Sequence, residues 1–209
     1  MQLLQASASS VGSKILIALT GLGLAVFLVG HLAGNLLFLV GPQAFNEYSH
    51  KLISNPLIYA VEFGLVAVFF VHVAKTVAGY LGNRSARPTS YAVRRWARSK
   101  NPKSRKSVAS STMILTGTIT ALFVVTHLAT FKFGAYYETP DGIRDLYKLQ
   151  LQVFSSLGYV LFYLVAMAVI CFHLWHGLSS AAQSLVTTAS RIFCDRVSFS
   201  CITDATSGP

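Results

Sequence analysis

Histidine is concentrated in the apolar parts of this sequence. Five of the six histidines lie inside four long apolar runs, so that every run contains at least one. An ionisable side chain at such a position is rare and usually functional, although a single neutral imidazole can also be a hydrogen-bonding contact between helices. One histidine in every run therefore favours a shared chemical role. The five are His31, His72, His127, His173 and His176.

The runs themselves are long enough to be membrane-spanning helices. A helix rises about 1.5 Å per residue, so about 20 apolar residues cross a hydrocarbon core of roughly 30 Å. The composition agrees, because only 11% of the 209 residues are charged, whereas a soluble domain has about 25%. We expect an all-α transmembrane bundle over 1–185, followed by a polar tail over 186–209 that lies outside it. The predicted spans are 15–40, 57–81, 112–133 and 153–178.

The distribution of charge gives the bundle an expected orientation. The formal net charge is +10, and nine of the 17 Lys and Arg residues lie between 83 and 110, with no acidic residue among them. A basic loop between two apolar runs is typical of the cytoplasmic side of a membrane protein, and this placement disfavours nucleic acid as a partner. The N-terminus is then cytoplasmic, and the loops 41–56 and 134–152 face outward.

The first of these outward loops has a helical pattern. Phe45, Tyr48 and Leu52 form one apolar face, and Pro42 and Pro56 bracket the segment. The pattern predicts a helix that lies along the membrane interface between the first two spans.

In antiparallel spans, the position of a residue along its helix gives its depth in the membrane. His31 and His127 lie 15 or 16 residues after the inner starts of their spans, which is about 24 Å toward the outer face. His72 and His173 lie 15 and 20 residues after outer starts, which is roughly 22–30 Å toward the inner face. We therefore expect an outer pair and an inner pair, roughly 15 Å apart and each drawn from diagonal helices.

Two facing imidazoles can bind a haem iron from both sides. Zinc usually needs three or four protein ligands, often thiolate or carboxylate, and the spans offer only Cys171 and Glu62 besides histidine. Two haems are therefore the favoured cofactors. Spacing alone does not decide between His173 and His176 in the fourth span. The first span also has small residues that permit either a porphyrin face or ordinary close helix packing: Gly21, Gly23, Gly30 and Gly34.

Short motifs recur in order along roughly residues 10–185. They are Gly30-His31-Leu32, Ala44-Phe45-Asn46 with His50, Tyr59-Ala60-Val61-Glu62 leading to His72, Thr126-His127-Leu128, and Phe172-His173 with Gly177-Leu178. Together they resemble the di-haem cytochrome b membrane anchor of succinate:quinone oxidoreductase (complex II; succinate dehydrogenase/fumarate reductase), in the form that works with menaquinone in many bacteria.

This resemblance implies a role for each pair. His31 and His127 would hold a distal, outer haem b, while His72 and His173 would hold a proximal haem b; the motif favours His173 over His176. The resemblance further implies an FAD-containing flavoprotein subunit and an iron–sulfur subunit, docked on the cytoplasmic face of the bacterial inner membrane. Electrons would pass from them through both haems to a quinone, expected to be menaquinone.

Quinone reduction needs two protons, so a protonatable group is expected near the outer haem. Glu62 is the only carboxylate in an apolar run and is the candidate proton donor, although an interfacial or helix-end role explains it equally well. His50 and Glu47 in the outer loop are weaker candidates. Lys75, one turn inward of His72, could pair with a haem propionate or extend to the inner interface.

The end of the chain departs from the family pattern, and two other functions stay open. The family has a fifth span, whereas 185–209 contains four charged residues and no run of about 20 apolar residues. We expect haem binding to survive this difference. The alternatives are a cytochrome b subunit of a hydrogenase, formate dehydrogenase or nitrate reductase, and a haem-free transporter with a histidine proton relay. A relay predicts more intramembrane carboxylates or helix-breaking prolines.

Overall fold

The described part of the chain is helical throughout its regular structure. A computed structural model describes residues 10–86 and 108–205, and no strand is assigned within them. Most of the basic loop, 87–107, lies outside these residues, so the orientation that it predicts stays a prediction. The helices are α1 (Ser10–Asn35), α2 (Pro42–Ser54), α3 (Leu57–Ser85), α4 (Val108–Phe131), α5 (Leu146–Phe154) and α6 (Leu157–Ala205), with a 3-10 turn (Leu36–Leu39) after α1.

Four of these segments are long and apolar enough to cross a membrane, which confirms the predicted all-α transmembrane fold. They are Val11–Leu39, Leu57–Ser85, Thr112–Phe131 and Leu157–Val186. The helix predicted between the first two spans is present as α2, which begins at Pro42 directly after Gly41. Gly41 has φ 139°, a backbone conformation that residues other than glycine rarely adopt, and the chain turns there.

The fourth span begins and ends later than predicted. Val153 belongs to the separate short helix α5, because the Asp145 side chain accepts a hydrogen bond from the Lys148 amide and starts a helix there. Ser155 and Ser156 separate α5 from α6. At the other end, α6 does not stop near residue 178 but continues to Ala205. The expectation that 186–209 lies outside the bundle stays a prediction.

The four long helices are arranged so that alternate spans oppose each other. Helix α1 packs against α3 and α6, and α4 packs against α6 and touches α3. Helices α1 and α4 are therefore diagonal, as are α3 and α6. This arrangement is the one in which residues from the first and third spans, or from the second and fourth, can meet across the interior.

One end of the bundle, which we call the cap end, is covered by α2 and α5. Asn46, only 3% exposed, joins the two helices: its Nδ2 donates to Asp145 Oδ1 at 2.8 Å, and its Oδ1 accepts from the Tyr147 amide at 3.0 Å. Phe38 stacks on Tyr147 with ring centroids 4.3 Å apart. The opposite end, where residues 87–107 link α3 to α4, is called the basic-loop end.

The interior has one cluster of buried apolar side chains among the described residues. Phe123, Ala166 and Ile170 form it, and partly buried apolar residues such as Leu28 pack against them. Phe123 lies four residues before His127, and Ile170 lies three before His173. The cluster therefore forms an apolar layer at mid-height, between the levels of the two histidine pairs.

Candidate haem sites

The first histidine pair meets toward the cap end, between the diagonal helices α1 and α4. The rings of His31 and His127 have centroids 5.7 Å apart and planes at 86°. Two imidazoles bound to one iron place their centroids roughly 6 Å apart, since metal–nitrogen bonds are about 2 Å long. The residues present therefore fit a bis-histidine haem at this position by spacing and by chemical type.

Aromatic side chains surround this pair. His127 has Phe123 and Phe131 as ring neighbours, at centroid distances of 5.6 and 5.3 Å, and its Nδ1 lies 3.4 Å from the Tyr163 hydroxyl. Phe27 stacks on His31 at 5.4 Å. Flat apolar side chains of this kind suit the faces and edges of a porphyrin.

The second pair, His72 and His173, comes from the other diagonal helices, α3 and α6. His72 Nδ1 lies 3.1 Å from the Thr20 hydroxyl of α1, and His173 Nδ1 lies 3.1 Å from the Thr116 hydroxyl of α4. Each imidazole of the pair is thus bonded to a threonine of a neighbouring helix.

A glycine follows each of these threonines and lies under the histidine ring. A Cβ on Gly21 would come within 3.0 Å of His72 Cε1, and one on Gly117 within 3.2 Å of His173 Cε1. These separations are shorter than ordinary carbon contacts, so the rings approach the helix backbone as closely as they do because the side chain is absent. The Thr-Gly pair is the same on both sides of the bundle.

A sequence repeat accounts for this likeness and could have revealed the threonines. When α1 and α4 are aligned on their histidines, residues 19–33 and 115–129 share the pattern L-T-G-x-x-x-A-x-F-x-V-x-H-L-A. The repeat is not apparent when the apolar runs are compared as whole spans, because the intervening positions differ. Each copy contributes one histidine to the cap-end pair and one Thr-Gly pair that contacts a histidine of the other pair.

The spacing within the repeat sets the separation of the two levels. Thr20 precedes His31 by eleven residues, and Thr116 precedes His127 by the same number. At about 1.5 Å per residue, both Thr-Gly pairs lie about 16 Å from the cap-end pair, toward the basic-loop end. The two pairs are therefore stacked along the bundle, with the apolar layer between them.

The candidate proton donor Glu62 lies at the cap end of α3 and forms an ion pair with Lys132, the residue after α4. The two side chains are 42% and 40% exposed. Sequence reasoning missed Lys132, because nothing in its spacing indicates that the end of the third span approaches the start of the second. Among the described residues of the four spans, Glu62 is the only carboxylate.

The other predicted residues lie apart from the pairs. On α2, His50 is exposed and hydrogen-bonds Ser54, and Glu47 accepts from Gln43 Nε2 at 2.9 Å. Lys75 is half-buried one turn from His72, and Cys171 is exposed. His50 also lines a cavity of about 280 Å³ with Tyr136 and Arg144.

Arg144, which lines that cavity, also contacts the end of α4. Arg144 donates from Nη2 to the Phe131 carbonyl oxygen at 3.0 Å, and its guanidinium lies 5.6 Å from the Tyr136 ring centroid. The cavity therefore lies beside the helix end that carries the Lys132 partner of Glu62.

No group of three or more histidine, cysteine or carboxylate side chains that could hold a metal ion occurs in the described residues. This is compatible with haem, which needs only two protein ligands for each iron. Comparisons of the chain with protein-family models, with curated proteins and with solved structures found no match. The function of the chain must therefore be inferred from its two histidine pairs and their surroundings.

Proposed function

We propose that this chain is a membrane cytochrome b that binds two haems, one between His31 and His127 and one between His72 and His173. The observation that carries the proposal is that His31 and His127 meet from diagonal helices, while His72 and His173 contact matched threonines at a second level of the same bundle. When bound, haem iron accepts and releases single electrons. The protein residues would fix the position of each iron and exclude water from it.

We further propose that the chain is the quinone-reactive anchor of succinate:quinone oxidoreductase in a bacterial inner membrane. This step rests on the ordered motifs around the histidines rather than on the geometry. An FAD-containing flavoprotein and an iron–sulfur subunit would dock at the basic-loop end, nearest His72 and His173. Lys75 in that half of the bundle would be the partner for a haem propionate.

The cap end would then be the quinone end. Glu62 and Lys132 lie there, so one ionisable pair could release a proton to the quinone and recover it from the exposed surface. The neighbouring cavity, lined by His50, Tyr136 and Arg144, offers hydrogen-bond donors for quinone carbonyl oxygens. Menaquinone is the quinone that the resemblance favours.

The test is the haem content of the full-length chain, purified in detergent. We expect two b-type haems per chain in a reduced-minus-oxidised spectrum with extracted haem, one in His127→Ala and one in His72→Ala. His50→Ala is the matched control, since it removes an exposed histidine outside both pairs, and it should keep both haems. A folded, membrane-inserted chain without haem would contradict the proposal and favour the proton-relay alternative.

The electron donor is tested separately, in membranes that contain the chain and its native partners. Succinate should reduce both haems, and fumarate should reoxidise them, whereas formate and hydrogen should not reduce them. Reduction by formate or hydrogen alone would contradict the assignment to succinate:quinone oxidoreductase and favour the other cytochrome b subunits. It would leave the proposed haem sites unchanged.

A further inference from the structure

The two threonines beside the basic-loop-end histidines differ from ordinary helix threonines in what their oxygens contact. Thr20 Oγ1 lies 2.6 Å from the Leu16 carbonyl oxygen and 3.1 Å from His72 Nδ1. Thr116 Oγ1 lies 3.1 Å from the Met113 carbonyl oxygen and 3.1 Å from His173 Nδ1. Each hydroxyl thus contacts a carbonyl oxygen of its own helix and an imidazole nitrogen of another.

The single hydroxyl proton decides the direction of these bonds. A carbonyl oxygen can only accept, and two oxygens this close need a proton between them, so we assign the hydroxyl proton of each threonine to the carbonyl one turn earlier. The lone pairs of Oγ1 would then face the ring, and Nδ1 would carry the proton that it donates to them. A neutral imidazole with its proton on Nδ1 has a free lone pair on Nε2 and can therefore bind a metal through Nε2.

We propose that Thr20 and Thr116 are positioning residues that hold His72 and His173 in the Nε2-ligating tautomer and orientation for the haem at the basic-loop end. The inference rests on the proposed haem function and adds two residues to it. When the ring nitrogen that does not bind the metal donates a hydrogen bond, the ring is held in one orientation and becomes a more basic ligand. Greater basicity stabilises the ferric state and therefore lowers the midpoint potential of that haem.

The recurrence of the arrangement supports this role. The same Thr-Gly pair occurs at residues 20–21 and 116–117, in matched copies of the repeat, and each pair contacts a histidine of the proposed ligand set. Thr118 of α4 is placed differently: its Oγ1 donates to the Ile114 carbonyl at 2.8 Å, and its side chain is exposed. Thr118 is therefore a matched control on the same helix.

The experiment compares Thr20→Val and Thr116→Val with Thr20→Ser, Thr116→Ser and Thr118→Val in the full-length chain. We expect each valine variant to raise the midpoint potential of one haem and to weaken its retention about 10- to 100-fold, as loss of an outer-shell partner does elsewhere. The haem affected is the one that His72→Ala removes. The serine variants should restore both properties, and Thr118→Val should leave both haems unchanged.

The outcomes separate this inference from the function on which it rests. A wild-type chain without haem contradicts the proposed function before any threonine variant is compared. Two haems in the wild type with unchanged potentials in both valine variants contradict the role of the threonines alone. Serine variants that behave like the valine variants would also overturn it, because they would assign the effect to packing rather than to the hydroxyl.

A second measurement uses the chain without haem, so that it does not depend on cofactor loading. With ¹⁵N-labelled histidine, His72 and His173 should both give nitrogen shifts of a protonated Nδ1 and an unprotonated Nε2. Thr20→Val should mix the two tautomers at His72 and leave His173 unaltered. A protonated Nε2 in the unsubstituted chain would overturn the inference.

Discussion

The two levels of the bundle have the same residue type, histidine, in different surroundings. At the cap end, His31 and His127 lie among aromatic rings, and His31 is exposed. At the basic-loop end, His72 and His173 are half-buried, and each is bonded to a threonine above a glycine. At the cap end the Tyr163 hydroxyl lies 3.4 Å from His127 Nδ1, whereas both histidines at the basic-loop end have a threonine hydroxyl 3.1 Å from Nδ1. The basic-loop-end pair is therefore the more tightly defined of the two.

The ends also differ in the ionisable groups that they hold near the histidines. Glu62 and Lys132 form their ion pair at the cap end, and no second carboxylate occurs in the described part of the spans. Under the proposed function, the step that consumes protons would therefore take place at the cap end.

The largest effect that would test this difference is expected from Glu62→Gln. The variant should slow quinone reduction about 100-fold, within the range for a lost general acid, and should leave the content of both haems unchanged. Steady-state quinone reduction beside a reduced-minus-oxidised spectrum measures this. Asp141→Asn, which removes an exposed carboxylate outside the four spans, is the control. Equal rates in the two variants would reduce Glu62 to an ion-pair partner at a helix end.

A smaller effect is expected from Gly21→Ala at the basic-loop end. The new Cβ would lie 3.0 Å from His72 Cε1, so the ring must move away from Thr20, and we expect retention of one haem to weaken about tenfold. Gly23→Ala is the matched control two residues along the same helix, where a Cβ meets nothing within 4 Å. Haem titration of both variants measures the difference. Equal retention would show that the close glycine contact does not hold the ring.

The smallest effect is expected from Asn46→Ala at the cap. Its removal leaves the Tyr147 amide without this acceptor and Asp145 Oδ1 with one donor fewer, which costs about 1–3 kcal/mol of local stability. Hydrogen exchange at α5 should accelerate, while the haem at the basic-loop end keeps its spectrum. Gln43→Ala, exposed on the same helix as Asn46, should change exchange little. Loss of both haems in Asn46→Ala would show that the two ends are not independent.

Much of the architecture could be predicted from the sequence, because long apolar runs have few alternatives to spanning helices. The placement of helix ends was less predictable. Val153 continues an apolar pattern into the fourth span, yet the Asp145 cap begins a separate helix before it. Depth counting predicted which histidines share a level, since helical rise is constant. It could not predict contacts between helices such as Thr20 with His72 or Glu62 with Lys132, which depend on helix rotation and tilt.

The alternation of histidines between helices has a consequence for biogenesis. Each half of the chain contains only one member of each pair, so neither half alone holds a complete site. During synthesis from the N-terminus, the partner of His31 emerges with α4, whereas the partner of His72 emerges only with α6. The cap-end histidine pair is therefore complete while the other still lacks one member. Under the proposed function, the order in which two haems can be delivered to the nascent protein follows from the order of its helices.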